Sequence, residues 1–171
     1  STISGEGKTF VATNLAVSLA LLDKRVVVVG LDIRRPKLLE CFGFSHEEIK
    51  GKKGITNYLS DNSIDLHSLL ISAKNNSNLY ILPAGTIPPN PAELRARPAL
   101  DTAIKLLAEE FDYVILDSAP VGLVSDALIA SRLADITLYI CRADYSHKSD
   151  FDLINDLEKK PTLPEMAIVV N

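Results

Sequence analysis

The stretch STISGEGKTF, Ser1–Phe10, decides how the rest of the chain is read. Gly5 and Gly7 allow backbone N–H groups to turn toward an anion, and the helical spacing from Lys8 onward sets a helix N-terminus behind them. In such a loop Lys8 reaches the β- and γ-phosphates of a nucleotide, and the Thr9 hydroxyl ligates Mg²⁺. The strict phosphate-loop pattern asks for Gly, four residues, then Gly-Lys-Ser/Thr. Gly7-Lys8-Thr9 meets its end, while Thr2 stands where the first glycine belongs. A loop of this kind is fed by a buried β-strand, which is expected ahead of Ser1.

Outward from the loop, apolar runs bounded by turn residues recur as RVVVVG (25–30), NLYILPAG (78–85), DYVILD (112–117), DITLYICR (135–142) and MAIVVN (166–171). Each is continuous rather than alternating, the pattern of a strand buried on both faces. Between them lie helix-spaced stretches at 8–22, 92–111, 125–133 and about 148–159. Asn90 caps the second of these, with Pro91 at its first position and Glu93 three after the cap, and Pro98 is expected to break it in two. Strands alternating with helices predict one α/β domain over 1–171, a mostly parallel sheet with helices on both faces. The more polar segment from Glu40 to Asn78, with KGKKG at 50–54 and NNSN at 75–78, reads as short helices and loops over one sheet edge.

Composition bounds the function classes. With 171 residues, 47% apolar and 23% charged, the chain is long enough for a sizeable core. A net charge of −4 argues against a nucleic-acid duplex as partner, since phosphate-backbone binding needs a basic surface. No apolar run approaches the roughly 18–20 residues of a membrane helix and no secretory signal opens the chain, so this piece reads as soluble, with room for a membrane attachment outside it. Cys41 and Cys141 lack partners at metal-ligand spacing and read as small buried hydrophobes in a reducing compartment.

Two carboxylates add to the loop. RVVVVGLDIRRP places Asp32 just past a buried strand, and DYVILDSAP does the same for Asp117. Ligands of open α/β sheets sit outside the carboxyl ends of the strands, so both carboxylates are expected to converge on the side where the loop holds phosphate. There they hold Mg²⁺ directly or through water. Lys8, Thr9, Asp32 and Asp117 together form a nucleotide–metal constellation.

STISGEGKTFVATNLA, VVVVGLDIRRPKL, GITNYLS, LYILPAGTIPPNPAEL and FDYVILDSAPVGLVSDA follow one another, from Ser1 to about Arg142, as in the catalytic domain of bacterial tyrosine autokinases of capsular and exopolysaccharide synthesis, which this chain resembles. The resemblance implies a P-loop NTPase-like fold that binds ATP and Mg²⁺ and transfers the γ-phosphate to tyrosine. It also implies Walker A, A-prime and B motifs at 2–9, 26–34 and 113–117. Gly5, Glu6, Gly7, Lys8, Thr9 and the following Phe10 match the ATP loop, Asp32 the A-prime aspartate and Asp117 the Walker B aspartate. Arg34 and Arg35 match a basic pair after A-prime. Arg142 and Asn171, at strand ends, match positions where P-loop relatives contact adenine. The implied partners are further copies of the chain, in a ring whose tyrosine-rich tail is phosphorylated by the neighbouring subunit, and a membrane polysaccharide copolymerase or export protein, fused or separate. The implied location is cytoplasmic, attached to the inner membrane through segments outside this chain.

The chain departs from that pattern in three places. Gly30-Leu31-Asp32 replaces the usual Asp-x-Asp. The five tyrosines, Tyr58, Tyr80, Tyr113, Tyr139 and Tyr145, are scattered, so the acceptor cluster is expected beyond Asn171. An arginine-bearing helix that docks subunits would precede Ser1. Two rivals follow: a septum-site or partition ATPase, against which Ile3 stands at the place of an extra loop lysine, and a non-catalytic nucleotide-binding adaptor, for which Gly30 speaks.

Overall fold

The continuous valine run becomes the centre of the molecule. A computed structural model describes residues 1–61, 63–87, 98–121, 131–147, 150–158 and 165–171. Strand β1, Val26–Gly30, is buried at every position. It pairs in parallel with β3, Asn76–Leu82, on one side and with β4, Tyr113–Asp117, on the other. A short β2, Ile71–Ala73, adds antiparallel to the far edge of β3, giving the order β2-β3-β1-β4. Strands β5, Thr137–Cys141, and β6, Met166–Val170, form a separate parallel pair. The sheet is α/β and mostly parallel, as the sequence predicts.

Period-two geometry in β1 divides the core in two. Val27 and Val29 face Leu100, Ala103, Ile104 and Leu107 of a helix at Pro98–Glu110, with Ile55 and Leu59 of another at Ile55–Ser60. Val26 and Val28 face Ala16 and Ala20 of α1, Lys8–Ala20, and Leu38 and Leu39 of α2, Leu38–Cys41. The residues α1 buries are small, Thr13, Ala16 and Ala20, which lets its axis lie close to the sheet. We number the remaining helices α3, His46–Ile49, α4, Ile55–Ser60, α5, Pro98–Glu110, and α6, Asp150–Glu158. Helices therefore cover both faces.

Several expectations are corrected. The segment 40–78 contains, besides its short helices, the edge strand β2 and the start of β3 at Asn76 within NNSN; a three-residue strand leaves no periodicity to read. Burial on both faces holds for β1 but fails for β4, β5 and β6, where Tyr113, Leu138, Ile168 and Val170 are exposed. In β4 one edge pairs with β1 and the other meets no strand among the described residues, and β6 likewise pairs only with β5 there. Cys141 is buried, but Cys41 at the end of α2 is exposed. Pro98 is the first residue of α5, where its missing N–H costs nothing and where the second piece of the expected broken helix would begin; residues 91–97, the place of the first piece, lie outside the described residues. Asn90, Pro91 and Glu93, and most of the expected helix at 125–133, lie outside the described residues.

Two local devices fix the loops above the sheet. At the GITNYLS segment, the amides of Ile55 and Thr56 donate to the carbonyls of Pro83 and Ala84 (2.9 and 3.0 Å), and the Asn57 side chain accepts from Gly54 N–H at 2.9 Å. A Cβ on Gly54 would sit 2.0 Å from the Pro83 carbonyl oxygen, so this junction closes only around glycine. Away from the site, His67 Nε2 meets Glu110 Oε1 at 2.5 Å and Nδ1 meets Asp65 Oδ1 at 3.3 Å, tying a 3₁₀ turn to the end of α5. Hydrogen bonding to Glu110, then to Asp65, raises the imidazole above its ordinary range. That contribution is complete below the unfolded value and is lost as pH rises through the raised folded one. His67→Gln should thus narrow the difference in melting temperature between pH 6 and pH 8 by about 2 °C or less, the scale of an exposed pair.

Candidate functional site

The phosphate loop is built from the inside by Glu6. Its side chain is fully buried, accepting from Ile3 N–H at 2.9 Å and from the Ser146 hydroxyl at 2.5 Å. Burial pushes this carboxyl up, but the hydrogen bonds from Ser146 and Ile3 outweigh it and hold it below its usual range. A charged keystone thereby fixes the curve of residues 3–6. Gly7 turns the chain into α1 with φ 93°, a left-handed conformation that glycine adopts without strain, and no side chain caps the first turn of the helix. The amides of that turn remain available to an anion, with the positive end of the helix behind them.

Strand β5 and the end of β6 hold the loop from outside. Arg142 Nη1 donates to the Gly5 carbonyl at 3.0 Å and its guanidinium stacks over the Tyr145 ring, whose hydroxyl donates to the Ser4 carbonyl at 3.1 Å. Asn171 Nδ2 donates to the Glu6 carbonyl at 3.2 Å, and a Cβ on Gly7 would lie 2.1 Å from that nitrogen. Thr2 shares a hydrogen bond with the Tyr139 hydroxyl, and the Ser1 carbonyl accepts from Val121 N–H at 3.0 Å. The loop thus starts between the carboxyl ends of β4 and β5. Tyr145 and Ser146 have no counterpart in the sequence reading: they lie in an ordinary turn, and only the register of β5 brings them under the loop.

The two carboxylates converge as the strand ends predict. Gly30 pairs with Asp117 at the top of β1 and β4, and beyond the strands the amides of Leu31 and Asp32 both donate to the Asp117 carbonyl (2.7 and 3.1 Å). One carbonyl therefore locks both acidic residues side by side. The Thr9 hydroxyl donates to Asp117 Oδ2 at 2.9 Å, and Asp32 Oδ1 accepts from the Arg35 amide at 3.1 Å. Lys8 donates to the Ile3 carbonyl at 3.4 Å; burial lowers its pKa, against the opposing pull of Asp117, Glu6 and Asp32. Burial pushes the Asp117 carboxyl up to about 6, and the neighbouring Asp32 charge adds to that, against the Thr9 hydrogen bond and Lys8. Phe10 is exposed on the first turn of α1.

These residues fit a magnesium nucleotide. A buried carboxylate short of positive charge, a hydroxyl beside it and an uncapped helix start are complementary to a cation carried on phosphate. Among the described residues no three His, Cys, Asp or Glu side chains form a metal cluster. Mg²⁺ at nucleotide sites takes one or two carboxylates and completes its shell with phosphate and water, so no such cluster is needed.

Gly30 has a structural reason. A Cβ there would stand 3.2 Å from the Ala84 amide nitrogen and 3.3 Å from a Leu38 methyl. An aspartate at this position would require α2 and the loop after β3 to retreat. The second carboxylate of the usual Asp-x-Asp is replaced by close backbone packing.

Fold and site together define an α/β nucleotide-binding domain of the P-loop NTPase type. A family model described as an AAA domain matches residues 3–158, and the chain belongs to that family. It is 34% identical over 139 residues to the tyrosine-protein kinase CpsD of Streptococcus agalactiae serotype III (strain NEM316). That alignment covers 81% of this chain and 57% of the relative, so the chain spans little more than half of that protein's length. The kinase domain of the Escherichia coli tyrosine kinase ETK superposes with a TM-score of 0.88 at 25% identity, over 100% of this chain and 64% of that one. The septum site-determining protein MinD of Pyrococcus horikoshii OT3, solved with Mg-ADP, superposes with a TM-score of 0.78 at 24% identity, over 100% of this chain and 67% of that one, a likeness of fold alone.

Proposed function

We propose that this chain is the catalytic domain of a bacterial tyrosine kinase that transfers the γ-phosphoryl group of ATP to tyrosine hydroxyls, in service of capsular or exopolysaccharide synthesis. The observation that carries this reading is the convergence of Lys8, Thr9, Asp32 and Asp117 on one side of an uncapped helix start. The tyrosine-kinase relatives favour it over a partition-type ATPase.

In the proposed reaction the phenolic oxygen bonds to the γ-phosphorus, the bond to the β–γ bridging oxygen breaks, and ADP leaves. Positioning and charge neutralisation dominate such a transfer. The amides after Gly7 and the Lys8 ammonium hold the β- and γ-phosphates. Thr9 and Asp117, with Asp32, would hold Mg²⁺, which supplies charge neutralisation at the bridging oxygens. Asp32, the more accessible carboxylate, takes the phenolic proton. Arg142 and Asn171, besides bracing the loop, are proposed to contact adenine, with Gly5, Glu6, Gly7 and Phe10 completing the nucleotide side. The acceptor tyrosines are proposed to lie in a tail following Asn171 and to be presented by a neighbouring copy in a ring, and the kinase to act with a membrane polysaccharide copolymerase, fused or separate, on the cytoplasmic side of the membrane.

The test is incubation of the full-length protein with γ-labelled ATP and Mg²⁺, followed by mass-spectrometric location of phosphotyrosine. Asp32→Asn is expected to lose at least as much transfer as Asp117→Asn, on the order of 10²-fold or more, because Gly30 offers no second carboxylate to accept the proton. ATP binding with no phosphotyrosine would point to the adaptor. Near-normal turnover in Asp32→Asn would remove Asp32 from the proton path.

A further inference from the structure

A cavity lies beside the two carboxylates, on the side away from the phosphate loop. The space open to the centres of water-sized molecules is about 60 Å³, room for a few waters or a single aromatic ring, and it opens to solvent. Its walls are apolar, from Leu38, Leu39, Ile49 and Pro83, and Asp32 and Asp117 form one end. No residue of 1–10 lines it, whereas Thr9 bonds Asp117 and Lys8 lies within electrostatic reach of both carboxylates. The carboxylates thus stand between the phosphate loop and the cavity. Gly30 contributes its floor. A side chain at that position would press on Ala84 and Leu38, so the floor closes around glycine.

The rim has a charge of its own. Lys37 and Lys52 line the cavity, are exposed, and make no ion pair among the described residues. The nearby Glu48 does not neutralise them, since its carboxylate is held by Lys74 at 2.8 Å. The stretch 34–53 carries six cations, Arg34, Arg35, Lys37, Lys50, Lys52 and Lys53, against three carboxylates, Glu40, Glu47 and Glu48, in a chain whose net charge is −4. The KGKKG run supplies three of these cations, and Gly51, with φ 74°, turns the run between Lys50 and Lys52.

We propose that this cavity is the acceptor subsite and that Lys37 and Lys52 select tyrosines flanked by carboxylate side chains. The proposal rests on the kinase reading above. An apolar slot ending at two carboxylates matches a phenol: the ring packs on Leu38, Leu39 and Pro83, and the hydroxyl reaches the acidic end where the proton must go. The residues on either side of the tyrosine then cross the lysine rim. Acidic neighbours are attracted there and basic ones repelled, and both effects weaken as salt screens the exposed charges.

The experiment presents the full-length protein, with ATP and Mg²⁺, with three synthetic peptides, each holding one tyrosine between three Glu, three Gln or three Lys on either side. At low ionic strength kcat/KM for the Glu peptide is expected to exceed that for the Gln peptide roughly tenfold, the scale of two exposed ion pairs, and the ratio should fall toward one in 0.5 M salt. The doubly reversed variant Lys37→Glu/Lys52→Glu should invert the order, favouring the Lys peptide. Both lysines are exposed, so the fold is not at stake in that variant. Equal phosphorylation of all three peptides, or an acidic preference that survives the reversal, would overturn the subsite while leaving the kinase intact. Absence of phosphotyrosine on every peptide and on the protein itself would overturn both.

Discussion

Replacing Lys8 by methionine is expected to abolish tyrosine labelling, lowering transfer by about 10³-fold or more, while the fold survives. Lys8 is the one side-chain cation of the phosphate loop, and its ammonium is partly desolvated, so that burial lowers its pKa and only the carboxylates of Asp117, Glu6 and Asp32 oppose this. A cation held in so little water acts on phosphate charge more strongly than a surface lysine would. Methionine keeps the length and apolar stem but offers nothing to the β- and γ-oxygens. The cost to stability is small, because the charged end makes only a 3.4 Å contact with the Ile3 carbonyl. The architecture of the loop does not depend on it either, since Glu6, Ser146, Arg142 and Asn171 hold the loop in place. Labelled-ATP transfer measured beside a thermal melt decides the matter: a variant that melts like the wild type yet still labels tyrosine would show that Lys8 is not the phosphate-binding cation.

How much of this the sequence discloses depends on whether the information is local. The valine run, the glycine turn and the aspartates at strand ends are set by short-range rules, and the structure places them as those rules require. Residues 142–146 are different. Nothing in RADYS says that it will lie beneath residues 4–6, more than 130 positions away, because that contact is created by strand pairing rather than by local preference. Gly30 marks the same boundary from the other direction. Read alone it is an absent carboxylate; its packing against Ala84 and Leu38, and its place in the cavity floor, appear only once the α4 docking at Gly54 has fixed the loop after β3. The edge strand β2 stayed hidden for a third reason, since three residues carry no period.

Asp117→Asn is expected to make the ligand-free protein more stable and the enzyme nearly inactive. The unfolded carboxyl titrates near 3.8 and the folded one at about 6, so the folded protein holds this proton more tightly. Stability from this group is therefore greatest below pH 4 and is lost as pH rises from about 4 to 6. The difference of some two pH units corresponds to a net cost of about 3 kcal/mol for holding this carboxylate charged at neutral pH, with the attraction to Lys8 and the Thr9 hydrogen bond already included. Asparagine removes that cost and still accepts the Thr9 hydroxyl. A gain of about 2 kcal/mol would raise the melting temperature by roughly 4–8 °C at pH 7.5, and the gain should shrink at pH 5, where the wild-type carboxyl is itself largely protonated. Added Mg-ATP should reverse the ranking, because a ligand stabilises the protein in proportion to its affinity and the variant has lost the charge that faces the metal. Melts at both pH values, with and without Mg-ATP, test each half separately. A variant less stable than the wild type without ligand would mean that Asp117 is already compensated in the empty site. A variant stabilised by Mg-ATP as strongly as the wild type would mean that the metal is held elsewhere.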